Sequence, residues 1–232
     1  MLTDKILYWA SRPVVGTYTG TMLKMDVKLH ASLPQGPKII AANHPSTTDP
    51  FFVAAMLRQQ VFILIKDLLF QVPVLGEYLR RSGHIPVQAG HGPRALDAAL
   101  ECLRSGQTVV IFPEGEISPL EGGFNKARTG IARLALASGA PVVPVGIHLQ
   151  RERIRAIRST VRGQIDYGYW YFQGPYNLTV GREVKFQGDV EDRNRVRAVA
   201  DSVMHQIIEL ARESEIRMNR KPTSLTSLPQ PH

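Results

Sequence analysis

Four short apolar runs, separated by stretches of helical period, constrain this chain more than any other feature. They are Lys38–Ala42, Val61–Ile65, Thr108–Phe112 and Val142–Ile147. Runs of this length, rich in β-branched residues, read as strands buried on both faces. The segments between them carry helix signals. Asp49 is a good N-cap with Pro50 behind it, which predicts a helix over 49–58. A second helical stretch covers 67–81 with an interruption at Pro73, and a short strand comes next near Ile85–Val87. Leu96, Leu100 and Leu103 mark a helix over 94–105 that Gly106 stops, and 126–138 is a helix ended by Gly139. Strands alternating with helices give an α/β domain with a mostly parallel sheet flanked by helices. Pro144 falls inside a strand and removes a ladder donor, so it is expected at an edge or a bulge.

A chain of 232 residues suits one domain, taken as 1–218, with a Pro-, Ser- and Thr-rich tail over 219–232 that is expected to be disordered. Between the motif-rich part and the tail the pattern is less regular. Arg151–Gln164 is basic, with Ile154, Ile157 and Val161 at helical spacing; Tyr167–Phe172 is nearly all aromatic. Leu178–Phe186 reads as one or two short strands. Asp189 is placed to cap a long last helix with the stripe Val196, Val199, Val203, Ile207 and Leu210.

The formal net charge of +8 favours anionic partners: nucleic acid, phospholipid headgroups or a phosphorylated substrate. Arg151, Arg153, Arg155, Arg158 and Arg162 could track phosphates or could form a solvated helix face. No nucleic-acid motif accompanies them, so nucleic acid is not expected as a partner. The single cysteine, Cys102, excludes an internal disulfide and reads as a packed thiol in a reducing compartment. The longest apolar run, Phe51–Leu57, falls far short of the roughly 20 residues that cross a bilayer. The N-terminus lacks a secretory hydrophobic region. Action on lipid would therefore take place from the membrane surface.

His44, Lys66 and Glu114 each sit at or just beyond the C-terminal end of an expected strand, where open α/β sheets place their ligand crevice. In Asn43-His44-Pro45-Ser46-Thr47-Thr48-Asp49-Pro50 an imidazole stands on a loop and a carboxylate at the next helix start. Histidine accepts a proton near neutral pH, and an adjoining carboxylate fixes its tautomer and stabilises the imidazolium. On spacing alone the plainer reading is favoured, with Asp49 as an N-cap and His44 as a loop histidine satisfied by backbone. No Gly-x-Ser-x-Gly elbow supplies a nucleophile, so the activated hydroxyl is expected on the substrate. No zinc-ligand spacing surrounds His44, and no metal or cofactor is expected. Phe112-Pro113-Glu114-Gly115 is a turn that fixes a second carboxylate at the crevice.

Together these residues carry a resemblance. Asn-His-x4-Asp-Pro at 43–50, Lys66-Asp-Leu-Leu-Phe with Gly76 and His84-Ile-Pro-Val, Phe-Pro-Glu-Gly at 112–115, Phe124-Asn-Lys-Ala-Arg-Thr-Gly130 and Val-Pro-Val-Gly-Ile at 143–147 occur in one order across 38–147. They resemble the 1-acylglycerol-3-phosphate (lysophosphatidate) acyltransferases. The resemblance implies the glycerolipid acyltransferase fold and transfer of a fatty acyl group to a lysophospholipid hydroxyl, most simply giving phosphatidate. The donor would be acyl carrier protein or acyl-CoA. His44 would be the general base and Asp49 its partner. Glu114 and Gly115 would shape the acceptor site, and Pro144 the donor side. Lys66, Arg80, Arg81, Lys126 and Arg128 are the basic candidates for substrate binding. A cytoplasmic enzyme, peripherally bound to the inner face of the cell membrane, is the matching location.

The chain departs from the family pattern twice. Ile117 and Ala89 stand where relatives commonly carry arginine, so either Lys66, Arg80, Arg81, Lys126 or Arg128 takes over the phosphate or the acceptor is a different or amine-bearing lysolipid. A lipid-binding relative without catalysis is a separate alternative, against which the His44–Asp49 pair argues. An anionic membrane is the expected surface partner, contacted through Ile6, Leu7 and Trp9 and through the basic, aromatic region 151–172.

Overall fold

The computed structural model describes residues 13–57, 59–88, 90–161 and 163–220. Ile6, Leu7, Trp9, Arg58, Ala89, Arg162 and the tail beyond 220, on which several expectations rest, lie outside the described residues.

A helix over 13–21 (α1) leads into strand β1, Asp26–Leu29, neither of which the sequence pattern announced. Then come β2 (Lys38–Ala42), α2 (Asp49–Met56), β3 (Val61–Lys66), a 3-10 turn over Asp67–Gln71, α3 (Leu75–Arg81) and β4 (Ile85–Val87). The second half contains α4 (Gly92–Arg104), β5 (Thr108–Ile111), α5 (Gly130–Ser138), β6 (Val142–Leu149), β7 (Arg155–Val161), β8 (Gln164–Trp170), β9 (Tyr176–Val180) and α6 (Arg193–Asn219). A seven-stranded sheet in the order β1-β9-β6-β2-β5-β3-β4 carries the domain. Its ladders are parallel apart from β6–β9.

All five residues of β2 are buried. Ile40 and Ala42 face a core that also takes in Phe52, Val53 and Tyr176, whereas Ile39 and Ala41 face one shared with α4, α5 and α6. This two-sided burial is why the run reads as continuously apolar instead of alternating. Helix α6 packs so closely on β6 that a Cβ at Gly146 would overlap the backbone of Leu210 and Ala211.

Three sequence expectations need correction, and a fourth is narrowed. The last helix is capped by Asp192, whose carboxylate accepts from the N–H groups of Asn194 and Arg195. Asp189 lies outside that helix and bonds Glu191 N–H instead. Helix α2 begins at Asp49 itself, with Thr48 as its cap residue; the carboxylate turns back toward the loop instead of capping. The stretch 151–164 is not a helix. After one 3-10 turn at Arg151–Arg153 it forms β7, which pairs antiparallel with β8 in a separate two-stranded sheet. Of the two places expected for Pro144, an edge or a bulge, the structure shows the second: it lies in an interior strand, between β2 and β9. It is tolerated because the β9 side is irregular there. Val145 pairs with Val180 but Val142 pairs with Val184, so one extra residue bulges out opposite Pro144. Its carbonyl still accepts from Gly181 N–H at 2.9 Å.

Candidate active site

Strands β2 and β5 are parallel neighbours, so the loops leaving their C-terminal ends emerge together on one rim of the sheet. Asn43 extends β2 by one step: its side chain accepts from Ile147 N–H at 2.7 Å and donates to Ile147 C=O at 2.9 Å. The chain then turns at His44. Its imidazole lies flat against Phe112, ring centroids 4.2 Å apart and 24° between planes, and its side chain is 17% exposed.

His44 Nδ1 is 3.0 Å from Asp49 Oδ2, and Asp49 is fully buried. Three further donors complete the carboxylate. Ser46 N–H reaches Oδ2 at 2.7 Å, while Ser46 Oγ and Tyr176 OH reach Oδ1 at 2.6 and 2.8 Å. A buried charge persists only when paired and hydrogen-bonded in this way. Burial and the adjacent Asp49 charge push the Tyr176 phenol well above its ordinary range, so it remains a proton donor to Asp49. Because a carboxylate only accepts, the proton of this bond is on Nδ1. The arrangement is an imidazole whose orientation and tautomer are set by a buried carboxylate.

The turn after β5 holds the backbone of His44. Glu114 is buried, and its Oε1 accepts from His44 N–H at 2.9 Å and Ser118 Oγ at 2.7 Å. Its Oε2 accepts from Asn125 N–H at 2.7 Å, and Ser118 N–H donates to His44 C=O at 2.8 Å. Gly115, at φ +72°, is crossed by the Arg128 side chain, so a β-carbon there would be both strained and blocked. The guanidinium of Arg151 donates to the carbonyls of Pro119 and Gly123 and so ties the loop after the turn to the end of β6. Burial lowers its basicity, and the carboxylates of Glu114 and Asp49 oppose that effect.

The remaining sequence-selected residues are more dispersed. Lys66 ends β3 and pairs with Asp166 of β8 at 3.0 Å. Arg80 and Arg81 on α3 both pair with Glu77, at 3.3 and 2.7 Å. Lys126 is exposed, as is Arg128, which is 3.9 Å from Glu116. Pro144 is buried one register step below the rim, paired with Ala41, so any influence on a donor site passes through the strand it shapes. Among the described residues no group of three or more His, Cys, Asp and Glu is arranged to hold a metal ion. No described helix is long and apolar enough to cross a membrane. A cavity of about 430 Å³ opens among Pro34, Pro37, Leu103, Ser138, Pro141 and Lys185, residues at the other ends of β2 and β6, away from His44.

Sequence reasoning missed Tyr176, Ser118, Asn125 and Arg151. Arg151 could have been found, because it occupies the same position beyond a strand end that singled out His44 and Glu114. Nothing local marks Tyr176, which comes from 127 residues further along the chain.

A family model described as Acyltransferase matches residues 24–148. The chain is 30% identical over 141 residues to a Pseudomonas aeruginosa protein named 1-acyl-sn-glycerol-3-phosphate acyltransferase, covering 59% of this chain and 52% of that one. A Saccharomyces cerevisiae protein of the same name is 30% identical over 131 residues, covering 53% and 43%. One from Limnanthes alba is 28% identical over 135 residues, covering 53% and 48%. The chain thus spans about half the length of the curated relatives it matches. The crystal structure of the 1-acyl-sn-glycerophosphate (LPA) acyltransferase PlsC from Thermotoga maritima shares the fold. Its TM-score is 0.63 at 23% identity, over 91% of this chain and 81% of that one.

Proposed function

Because this chain belongs to the acyltransferase family, we propose that it transfers a fatty acyl group from a thioester to the hydroxyl of a lysophospholipid, with His44 as general base. The observation that carries the reading is the bond between His44 Nδ1 and the fully buried, four-fold hydrogen-bonded Asp49. In this scheme Nε2 removes the acceptor hydroxyl proton as that oxygen attacks the thioester carbonyl. The tetrahedral intermediate collapses with cleavage of the carbon–sulfur bond, and the imidazolium returns the proton to the departing thiolate. Asp49 stabilises the imidazolium in between. Donors of the acyl carrier protein or coenzyme A type fit this chemistry equally, since both present the same thioester.

The names of the relatives favour 1-acylglycerol-3-phosphate as acceptor and phosphatidate as product. Lys126 and Arg128, both exposed on the segment that follows the Glu114 turn, are candidates to receive its phosphate, Arg128 at the cost of its 3.9 Å contact with Glu116. Lys66, Arg80 and Arg81 would first have to leave their carboxylate partners. Ile117 in place of an arginine favours a second reading in which the acceptor headgroup is not a phosphomonoester.

The test is mass spectrometry of lipids formed from a labelled acyl thioester and a panel of lysolipids. Wild type should acylate at least one of them, and His44→Ala should lower the rate by 10² to 10⁴ while circular dichroism stays unchanged. Activity above about a tenth of wild type in His44→Ala would remove the general-base role.

A further inference from the structure

The β7–β8 hairpin stands apart from the main sheet and takes no part in the dyad, yet it is bonded to the loop that carries it. Tyr169 C=O accepts from Thr47 N–H at 2.7 Å, and Tyr169 N–H donates to Thr47 Oγ1 at 2.8 Å. Thr48 Oγ1 makes a similar pair of longer contacts with Tyr171, at 3.3 and 3.4 Å. Thr47 and Thr48 lie between His44 and Asp49, so the base of the hairpin and the dyad loop move together.

The rest of the hairpin is unlike an ordinary soluble surface. Ile157, Ile165, Tyr167 and Phe172 are 44%, 54%, 53% and 43% exposed. Trp170 stacks on Phe172 with 4° between planes. Exposed Arg158 shares one face of the ribbon with Tyr167, Thr160 and Ile165, and exposed Arg155 shares the other with Ile157 and Trp170, so each face mixes cation, aromatic and aliphatic groups. The hairpin's acidic residue, Asp166, is neutralised by Lys66. The Tyr18 hydroxyl bonds Phe172 C=O, so α1 joins the patch with Val14, 70% exposed, one turn from Tyr18. A two-stranded ribbon has little stability of its own in water, and contiguous exposed apolar surface marks a contact site. The mixture here fits an anionic bilayer: acyl chains for isoleucine, the headgroup level for tyrosine and tryptophan, phosphates for arginine.

We propose that the β7–β8 hairpin docks this chain on an anionic lipid bilayer and, through Thr47 and Thr48, holds the His44 loop at the bilayer surface. The proposal rests on the acyl-transfer reading only in its activity arm. The experiment uses the full chain and vesicles of phosphatidylcholine with or without phosphatidylglycerol. It compares wild type, Ile165→Glu/Tyr167→Glu and the milder Arg155→Gln/Arg158→Gln. Wild type should sediment preferentially with the anionic vesicles. The glutamate pair should lose binding by at least tenfold, and the glutamine pair should lose the anionic preference by about tenfold. Transfer to a vesicle-borne lysolipid should fall in parallel, while transfer to a short-chain acceptor below its micellar concentration should stay within about twofold of wild type. Wild-type binding by both variants, or no vesicle binding by wild type, would overturn the proposal and leave the hairpin as a contact for another class of partner. Absence of transfer to either acceptor, with the binding differences intact, would instead overturn the catalytic reading alone.

Discussion

The backbone N–H of His44 donates to Glu114 Oε1 at 2.9 Å, joining two turns that are 70 residues apart in sequence. Glu114 therefore holds the backbone of His44. Its carboxylate is already occupied by His44, Ser118 and Asn125. A glutamine at this position would present an amide donor to at least one of those donors. Glu114→Gln should cost about 1.5 to 3 kcal/mol, the range for hydrogen bonds to charged groups. Thermal unfolding should show the loss, and kcat should fall roughly ten- to a hundredfold. A variant with unchanged melting temperature and a raised KM for the acceptor alone would mean that Glu114 touches substrate directly.

Tyr176 offers a test of how far the buried acid depends on its distant donor. Tyr176→Phe preserves the ring but leaves Oδ1 of Asp49 with Ser46 as its remaining donor among the described residues. The ring also packs edge-on against Phe52, which phenylalanine retains. Steady-state kinetics should show kcat down about tenfold with little change in KM, the loss expected for one charge-assisted bond. An unaltered kcat would show that three donors suffice to orient Asp49.

His84 predicts a pH dependence of stability that is independent of catalysis. It is buried between α3 and β4, where burial lowers its pKa to about 4, and Nδ1 faces Ile63 N–H at 3.4 Å. As pH falls below about 6.5 the unfolded chain takes up this proton, and the folded chain does not until about 4. Stability contributed by the neutral ring is thus complete above about 6.5 and is lost across that window, up to about 3 kcal/mol in all. His84→Asn keeps an acceptor for Ile63 without a titrating proton. Its urea-derived stability should fall less steeply between pH 6.5 and 4 by up to about one proton. Parallel slopes for the two proteins would assign the dependence elsewhere.

Much of the architecture was determined by local chemistry alone. The β-branched runs of β2, β3, β5 and β6 must be covered on both faces, and helices of the right period lie between them. Their parallel order in the sheet and the emergence of His44 and Glu114 on one rim are consequences of that. The five-residue spacing of His44 and Asp49 was equally legible, because a loop between strand and helix is short enough for sequence to set its reach. Tertiary structure decided what depends on partners far along the chain. Tyr176 completes Asp49 from 127 residues away, and nothing in its own neighbourhood marks it. Ile154, Ile157 and Val161 have helical spacing, but pairing of residues 155–161 with 164–170 supplies a ladder that an isolated helix cannot match. Pro144 was legible only as an edge or a bulge residue, because the missing N–H does not show which strands flank it. For residues 155–161 a local preference worth a fraction of a kcal/mol to about 1 kcal/mol was overruled by cross-strand pairing that exists only once the two strands meet.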